Sequence, residues 1–242
     1  MRRGISIVGA VVMLVAAMGG SRTYSEMAAA EKVSFLERET ARATALLSED
    51  GRAAAVTPEL LLLVKREVDD YAARTASSDA RPWRDSLRAV LDRGEAYEPQ
   101  IRAAFKAEGL PPALGVYLAM VESEYHPCLE SPMGARGVFQ FLPKTAARFG
   151  VAAEDLCDAE KSAVAAARYL KTLRAEFGAS GRGALLSVLA YNQGERKVRE
   201  IFAGDADLWR TLSREPNSEA ARYVPRLLAA AIIGENPAAF GL

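Results

Sequence analysis

The sequence has few of the residues that usually hold metal ions. Among its 242 residues there is one histidine, His126, and there are two cysteines, Cys128 and Cys157. Structural zinc sites are usually built from four cysteine or histidine ligands at short, regular spacings. The two cysteines and the single histidine do not make such a set. The sequence therefore predicts no bound metal and no other cofactor.

The chain also lacks an excess of charge of either sign. Its 31 lysines and arginines balance 31 aspartates and glutamates, so the formal net charge is +0. Proteins that bind nucleic acid usually present a basic surface. The composition therefore gives no reason to expect a nucleic-acid partner.

Strand patterns are scarce as well. Aromatic residues make up 7% of the chain and alternating β-branched runs are hard to find, whereas half of all residues are hydrophobic and alanine is abundant. Apolar residues recur at helical spacing, so we predict an all-α fold. The predicted helices cover residues 24–49, 58–76, 83–93, 97–108, 143–150, 158–176, 184–191, 195–202 and 219–233, together with one that begins at 111. Gly94 and Gly109 are expected to end the third and fourth of these.

The apolar run near the N-terminus is short. Met1-Arg2-Arg3 precedes an apolar stretch from Ile5 to Met18, which is the form of a signal peptide. A membrane span needs about 20 apolar residues, although an uncleaved anchor is the alternative. We expect residues 1–22 to be a signal peptide or N-terminal anchor, and the protein to be exported.

The strongest functional signal lies in residues 110–143. Pro111 and Pro112 suit the start of a helix, and no residue from 113 to 121 is charged, so this helix is predicted to be buried. The first charge to follow is Glu122. Burial raises a carboxyl pKa, and a glutamate protonated near neutral pH can serve as a general acid. The alternative is a solvated glutamate at an ordinary helix end.

A turn-rich segment follows, with the sequence SPMGARG at residues 131–137. Its glycines allow a close backbone approach or a positive φ, and the amide of Gln140 comes shortly after. In an oxidising compartment Cys128 and Cys157 can form a disulfide that closes a loop around this segment, which would stabilise the fold by roughly 3–4 kcal/mol. In a chain kept inside the cell they would remain two thiols.

Four separate motifs then recur in a recognisable order and spacing. They are Glu122-Ser123, Ser131-x-x-Gly134-Ala135-x-Gly137-x-Phe139-Gln140-Phe141-x-Pro143, Ala190-Tyr191-Asn192-x-Gly194 and Glu219-x-x-x-Tyr223-Val224-Pro225. Together they resemble the signature of SLT-type lytic transglycosylases, which belong with goose-type lysozymes among the lysozyme-like enzymes that cleave peptidoglycan. The resemblance implies a lysozyme-like catalytic domain over residues 95–242. The helical patterns of residues 23–94 predict a helical lead-in region that packs on this domain, with a flexible spacer as the alternative, and the export signal predicts a periplasmic location.

The resemblance also implies roles for individual residues. Glu122 matches the single catalytic acid/base of the family. The residues that match substrate-contacting positions, or positions that steady the glutamate, are Ser131, Phe139, Gln140, Tyr191, Asn192, Glu219 and Tyr223. Structural roles are the alternative for some of them: Tyr191 as a core residue, or Asn192 as a helix stop. Gln193 and Ala220 depart from the family pattern without removing the acid.

The implied reaction is cleavage of the bond between N-acetylmuramic acid and N-acetylglucosamine without water, which leaves a 1,6-anhydro end. A hydrolytic muramidase would need a second carboxylate. Glu124 lies two residues from Glu122 and should point to another side of the helix, whereas Glu130 in the next loop stays open. His126 is expected to be a turn residue.

A third alternative is a wall-binding or assembly protein that keeps the fold without turnover. The partners implied by the resemblance are peptidoglycan glycan strands, with cell-wall or secretion-machinery proteins as further candidates. We expect a monomer.

Overall fold

A computed structural model of the chain describes residues 22–74, 85–202 and 207–242. These ranges contain ten α-helices and no named strand, so the predicted all-α fold is confirmed. The helices are α1 (Ala29–Leu46), α2 (Pro58–Ala72), α3 (Leu87–Ala107), α4 (Pro112–Ser123), α5 (Pro143–Arg148), α6 (Ala159–Phe177), α7 (Gly181–Gln193), α8 (Glu195–Phe202), α9 (Leu208–Ser213) and α10 (Glu219–Glu235). Residues 1–21 of the predicted signal segment lie outside the described residues. Within the described ranges, no helix is both long and apolar enough to cross a lipid bilayer.

Helices α4 and α10 form the centre of the fold. In α4 every side chain from Ala113 to Met120 is buried, as the charge-free sequence predicted, and in α10 every side chain from Leu227 to Ile233 is buried. The two helices pack against each other, α3 packs on α4, and α6 packs on α3 and α7. This arrangement brings the C-terminal end of α4 close to the N-terminal half of α10.

Helix α3 corrects the prediction of two helices in residues 83–108. It is one continuous helix that runs through Gly94 and Pro99. Gly94 does not end the helix, because its role is to admit a neighbour: a Cβ there would lie 2.7 Å from the ring of Tyr125. Pro99 removes one backbone hydrogen bond, yet the helix continues past it and buries Ile101 and Phe105.

The lead-in helices α1 and α2 pack along α10. The aromatic rings of Tyr24, Phe35 and Phe240 meet with centroids 5.3 to 6.2 Å apart, which joins the beginning of the described chain to its end. Leu60, Val64 and other apolar residues of α2 belong to the same buried cluster as the residues of α4 and α10. The lead-in region therefore shares its hydrophobic core with the helices that carry the predicted site.

Candidate active site

Glu122 lies in the last turn of α4, where the buried helix meets a cleft. The helix ends abruptly because Glu124 and Tyr125 adopt left-handed backbone conformations, with φ of 49° and 62°. The hydroxyl of Ser123 donates a hydrogen bond of 2.8 Å to the carbonyl of Val138 and so ties the helix end to the following loop. Glu122 itself is partly buried, and its carboxylate accepts a hydrogen bond from the hydroxyl of Tyr223 on α10.

Burial raises the pKa of Glu122 to about 7. The hydrogen bond from Tyr223 and the positive charge of Arg226 lower this pKa, while the negative charge of Glu219 raises it. At neutral pH the carboxyl group is therefore divided between its protonated and ionised forms. A group in this state can give up a proton and take one back, which suits an acid/base catalyst.

Two cavities meet at this carboxyl group. The first has a volume of about 560 Å³ and the second about 700 Å³, and Glu122 lines both. The first is bounded by residues of the 131–145 segment and of α5, α6, α7 and α8. The second is bounded by residues that follow α4, among them His126 and Leu129, and by Asp85. Glu122 is thus the residue that the linings of these two cavities share.

Four of the predicted substrate-contacting residues line the first cavity together with Glu122: Ser131, Gln140, Tyr191 and Asn192. Gln140 adopts a positive φ of 47°, and its Nε2 donates hydrogen bonds of 2.9 Å to the carbonyls of Leu129 and Gly137. The Tyr191 hydroxyl donates a hydrogen bond of 2.9 Å to the carbonyl of Phe139. The structure therefore brings these four residues into one site.

The other predicted contact residues are placed differently. The side chain of Phe139 is fully buried and stacks on Phe105 with centroids 6.0 Å apart, so the prediction that it lines the sugar sites is wrong for its side chain. Tyr223 is also buried, and its position against the acid suits the steadying role. Glu219 is exposed at the start of α10 and acts on Glu122 through its charge.

Several residues of the first cavity had no signal in the sequence. They are Met133, Arg148, Tyr169 and Glu195. The Tyr169 hydroxyl donates a hydrogen bond of 3.0 Å to Glu195, and hydrogen bonds from the Glu195 backbone and from Tyr169 lower the pKa of the Glu195 carboxyl. This ionised carboxylate comes from α8, 73 positions beyond Glu122 in the sequence, so only the tertiary fold reveals that they share a cavity.

The two carboxylates considered in the sequence are each paired with an arginine. Arg74 donates two hydrogen bonds to Glu124, of 2.6 and 2.8 Å. Glu130 lies 3.2 Å from the guanidinium of Arg136 and its side chain is 59% exposed. Neither lines the first cavity, although Glu124 lines the second one together with Glu122. Because Arg74 pairs with Glu124 and Arg136 pairs with Glu130, Glu195 is the better candidate for a second carboxylate.

A disulfide joins Cys128 to Cys157. The two cysteines are 29 positions apart in the sequence. The loop between them carries Ser131 and Gln140, so the disulfide closes this loop. Replacing both cysteines by serine should lower the free energy of unfolding by about 3–4 kcal/mol, since the unfolded chain regains the entropy of the open loop. Urea unfolding of the variant and of the wild type, each with and without reductant, measures this loss. A wild type whose stability is insensitive to reductant, under conditions that free both thiols, would contradict the prediction.

The fold and the site define a class of protein: a lysozyme-like helical enzyme fold with a glutamate at the end of a buried helix. The crystal structure of the 70 kDa soluble lytic transglycosylase SLT70 from Escherichia coli aligns with a TM-score of 0.51 at 22% identity, over 76% of this chain and 30% of that one. Residues 99–210 match the Transglycosylase SLT domain family. The predicted resemblance to SLT-type lytic transglycosylases is therefore confirmed.

Two relatives illustrate the similarity. Membrane-bound lytic murein transglycosylase D of Escherichia coli (strain K12) is 30% identical over 166 residues, which are 64% of this chain and 35% of the relative. Membrane-bound lytic murein transglycosylase F of Thiobacillus denitrificans is 29% identical over 163 residues, 60% of this chain and 33% of the relative. The matched region thus spans about a third of each of these relatives.

Proposed function

We propose that the protein is a lytic transglycosylase that cleaves the β-1,4 bond between N-acetylmuramic acid and N-acetylglucosamine in peptidoglycan. The observation that carries the proposal is Glu122, a carboxyl group with a pKa of about 7 at the junction of two cavities. A polymer that lies across both cavities presents an internal bond to this group. The names of the similar proteins, which are lytic murein transglycosylases, support the same activity.

In the first step the protonated Glu122 donates its proton to the glycosidic oxygen, and the bond between C1 of N-acetylmuramic acid and that oxygen breaks. The 2-acetamido group of the sugar assists by stabilising the positive charge that develops at C1. Tyr223 remains hydrogen-bonded to the carboxylate that is left. A hydrogen bond to the ionised form stabilises it, so Tyr223 favours release of the proton.

In the second step the Glu122 carboxylate takes a proton from the C6 hydroxyl of the same sugar. The C6 oxygen bonds to C1 and closes a 1,6-anhydro ring. Glu122 regains the proton that it gave away, so the cycle consumes no water and requires one carboxyl group. A pKa near neutrality makes both proton transfers accessible to the same side chain.

The hydroxyl of Tyr223 gives a direct test of this scheme. Tyr223→Phe removes a hydrogen bond that lowers the pKa of Glu122, so the pKa should rise above 7 by about 1–2 units. We expect the alkaline limb of the pH–rate profile to move to higher pH, and the maximal rate to fall because Glu122 becomes a weaker acid. The measurement is product release from sacculi between pH 5 and 9.

Tyr191→Phe is the matched control for this substitution. It also removes one hydroxyl from a tyrosine near the acid, but that hydroxyl donates to the backbone of Phe139. Its alkaline limb should stay at the wild-type pH. If the limb of Tyr223→Phe also stayed there, the hydroxyl of Tyr223 would have no part in setting the acidity of Glu122.

A muramidase is a second candidate function, and Glu195 is the observation that favours it. This carboxylate lines the same cavity as Glu122, and hydrogen bonds hold its pKa below the ordinary value. An ionised carboxylate opposite a protonated one is the arrangement by which an inverting glycosidase activates water. Hydrolysis would yield reducing ends instead of anhydro ends.

Product analysis separates these functions. The protein without residues 1–22 is incubated with purified peptidoglycan sacculi, and the soluble muropeptides are identified by mass spectrometry. Products with 1,6-anhydro-muramic ends support the transglycosylase. Products heavier by one water that disappear in Glu195→Gln indicate a muramidase. No release, where a control enzyme releases products, indicates a wall-binding or assembly protein.

The proposed substrate lies outside the inner membrane, so the proposal also requires export. We propose that residues 1–22 provide the export signal or an anchor to the inner membrane, that residues 95–242 form the catalytic domain, and that residues 23–94 support it. Measuring the mass of the mature protein recovered from the periplasm would decide whether the segment is cleaved.

A further inference from the structure

Helix α2 carries a buried carboxylate that has no part in the proposed mechanism. Glu67 is 2% exposed. Arg222 donates to its two oxygens at 2.8 and 3.1 Å, and Arg226 donates to one of them at 3.4 Å. Burying a carboxylate is costly, and replacing such an ion pair by apolar residues is often neutral or stabilising. Stability alone therefore does not account for this cluster.

The two arginines lie on α10 on either side of Tyr223. Arg222 precedes Tyr223 by one residue and Arg226 follows it by three. Residues four apart lie on one face of a helix, so Glu67 can hold both arginines at once. These ion pairs fix how the first turns of α10 are rotated about the helix axis. The rotation of the helix determines where the Tyr223 hydroxyl points.

A second link connects the end of α2 to the other partner of the hydrogen bond. Arg74 binds the carboxylate of Glu124, which follows Glu122 by two residues. A cavity of about 180 Å³ lies between the two links and is lined by residues of α2, α4 and α10, among them Tyr71 and Val121. The lead-in region thus binds both α10, which carries Tyr223, and the end of α4, which carries Glu122.

We propose that Glu67 is a positioning residue that holds Tyr223 and Arg226 in place beside Glu122. It acts through the arginines and does not touch the cleft. This inference rests on the proposed role of Glu122 as the acid. It assigns to the lead-in region a share in the catalytic apparatus, because the rotation of α10 and the placement of the positive charge near the acid both depend on α2.

The charged and titratable groups around Glu122 determine how the proposal can be tested. Those on α10 are Glu219, Tyr223 and Arg226. Those that share a cavity with Glu122 are Arg148, Tyr169, Tyr191 and Glu195 on one side, and Asp85, Glu124 and His126 on the other. Of these, Arg226 is the positive group that lowers the pKa of Glu122 and also contacts Glu67.

The test uses two substitutions that should change the pKa of Glu122 in the same direction. Glu67→Gln removes the charge that holds Arg222 and Arg226, so Tyr223 and Arg226 should move away from Glu122, and the pKa of Glu122 should rise by about half a unit to one unit because both groups lower it. Arg226→Gln removes the positive charge, so the pKa should rise by a similar amount. Asp70→Asn is the control, because Asp70 also pairs with Arg222, at 3.0 Å, and has no ion pair with Arg226 in the described chain. It should leave the pKa within about 0.3 units.

The pKa is read from the ¹³C shift of the Glu122 carboxyl carbon, assigned by its loss in Glu122→Gln, and from the alkaline limb of the pH–rate profile. The NMR titration needs no turnover, so it decides the inference even if the sacculus assay shows that the proposed function is wrong. A rise of the pKa in both variants, with the control unmoved, supports the proposal. A fall in Glu67→Gln, which the loss of its charge alone would cause, or no shift, overturns it.

If Glu67→Gln does not fold, the pKa of Glu122 is compared between two variants of Arg226 instead. Arg226→Lys keeps the positive charge and should keep the wild-type pKa, while Arg226→Gln should raise it. If Glu122 has the wild-type pKa in both variants of Arg226, the ion pairs between Glu67 and α10 serve the fold only and the proposal fails.

Discussion

Glu122→Gln should lower the rate of muropeptide release from sacculi by about 10²–10⁴-fold. The amide has the shape of the carboxyl group and still accepts the hydrogen bond from Tyr223, but it cannot supply the proton that the glycosidic oxygen needs. Chromatography of soluble products gives the rate, and circular dichroism checks that the fold is kept. Glu130→Gln is the control: it neutralises an exposed carboxylate that pairs with Arg136, and its rate should match the wild type.

The same substitution should make the protein more stable at alkaline pH. The pKa of Glu122 is raised from 4.5 to about 7 in the folded protein, so folding favours the protonated form and resists ionisation. Above pH 7 the wild type therefore carries a cost of about 3 kcal/mol that Glu122→Gln does not. The cost develops between pH 4.5 and 7 and is absent below this range.

Urea unfolding at pH 4, 6 and 8 measures this difference. The gain in unfolding free energy of Glu122→Gln over the wild type should be larger at pH 8 than at pH 4. A gain that did not depend on pH would show that the folded and unfolded states bind the proton of Glu122 equally well. The acid would then have the pKa of a solvated glutamate, and one argument for its catalytic role would be lost.

Two predictions from the sequence that agree with the structure concern α4. Its burial followed from the absence of charge between Ala113 and Val121, and the raised pKa of Glu122 followed from that burial. Both depend on local sequence, because a helix that is apolar on every side can only lie inside the fold. The same local logic predicted α6 and α8 to within one residue at each end.

The failures concern contacts between segments that are distant in sequence. Gly94 looked like a helix stop, but it makes room for Tyr125, which follows it by 31 positions. The motif predicted a substrate-contacting position for Phe139, but a motif carries no information on which way a side chain points, and this side chain packs on Phe105. Glu67 and Glu195 had no signal because their roles depend on partners supplied by other helices. Local pattern thus predicted the acid, and tertiary packing was needed to find the groups that surround it.

Gly137→Ala should reduce the free energy of unfolding by about 3–5 kcal/mol. Gly137 has φ of 82°, and a Cβ there would lie 1.9 Å from the carbonyl oxygen of Leu156. That oxygen belongs to the backbone next to Cys157, which the disulfide holds in place, so the clash cannot be relieved by a side-chain rotation. The loop itself must move, which is the reason for the large expected cost.

Gly134→Ala separates this clash from backbone strain. Gly134 has nearly the same φ, 77°, but nothing lies within 4 Å of a Cβ built on it. It should lose only the cost of a left-handed alanine, about 1–2 kcal/mol. Urea unfolding compares the two variants, and equal losses would show that the close approach to Leu156 carries no energy.

The clash also has a consequence for the cleft. The carbonyl of Gly137 accepts a hydrogen bond of 2.9 Å from the side chain of Gln140, which lines the cavity beside Glu122. A loop displaced at Gly137 therefore displaces Gln140. We expect folded Gly137→Ala to bind glycan strands more weakly, with KM raised, while the pKa of Glu122 stays at its wild-type value because Tyr223 and Arg226 are untouched. Wild-type KM in the folded variant would show that this loop supports the fold and not the substrate.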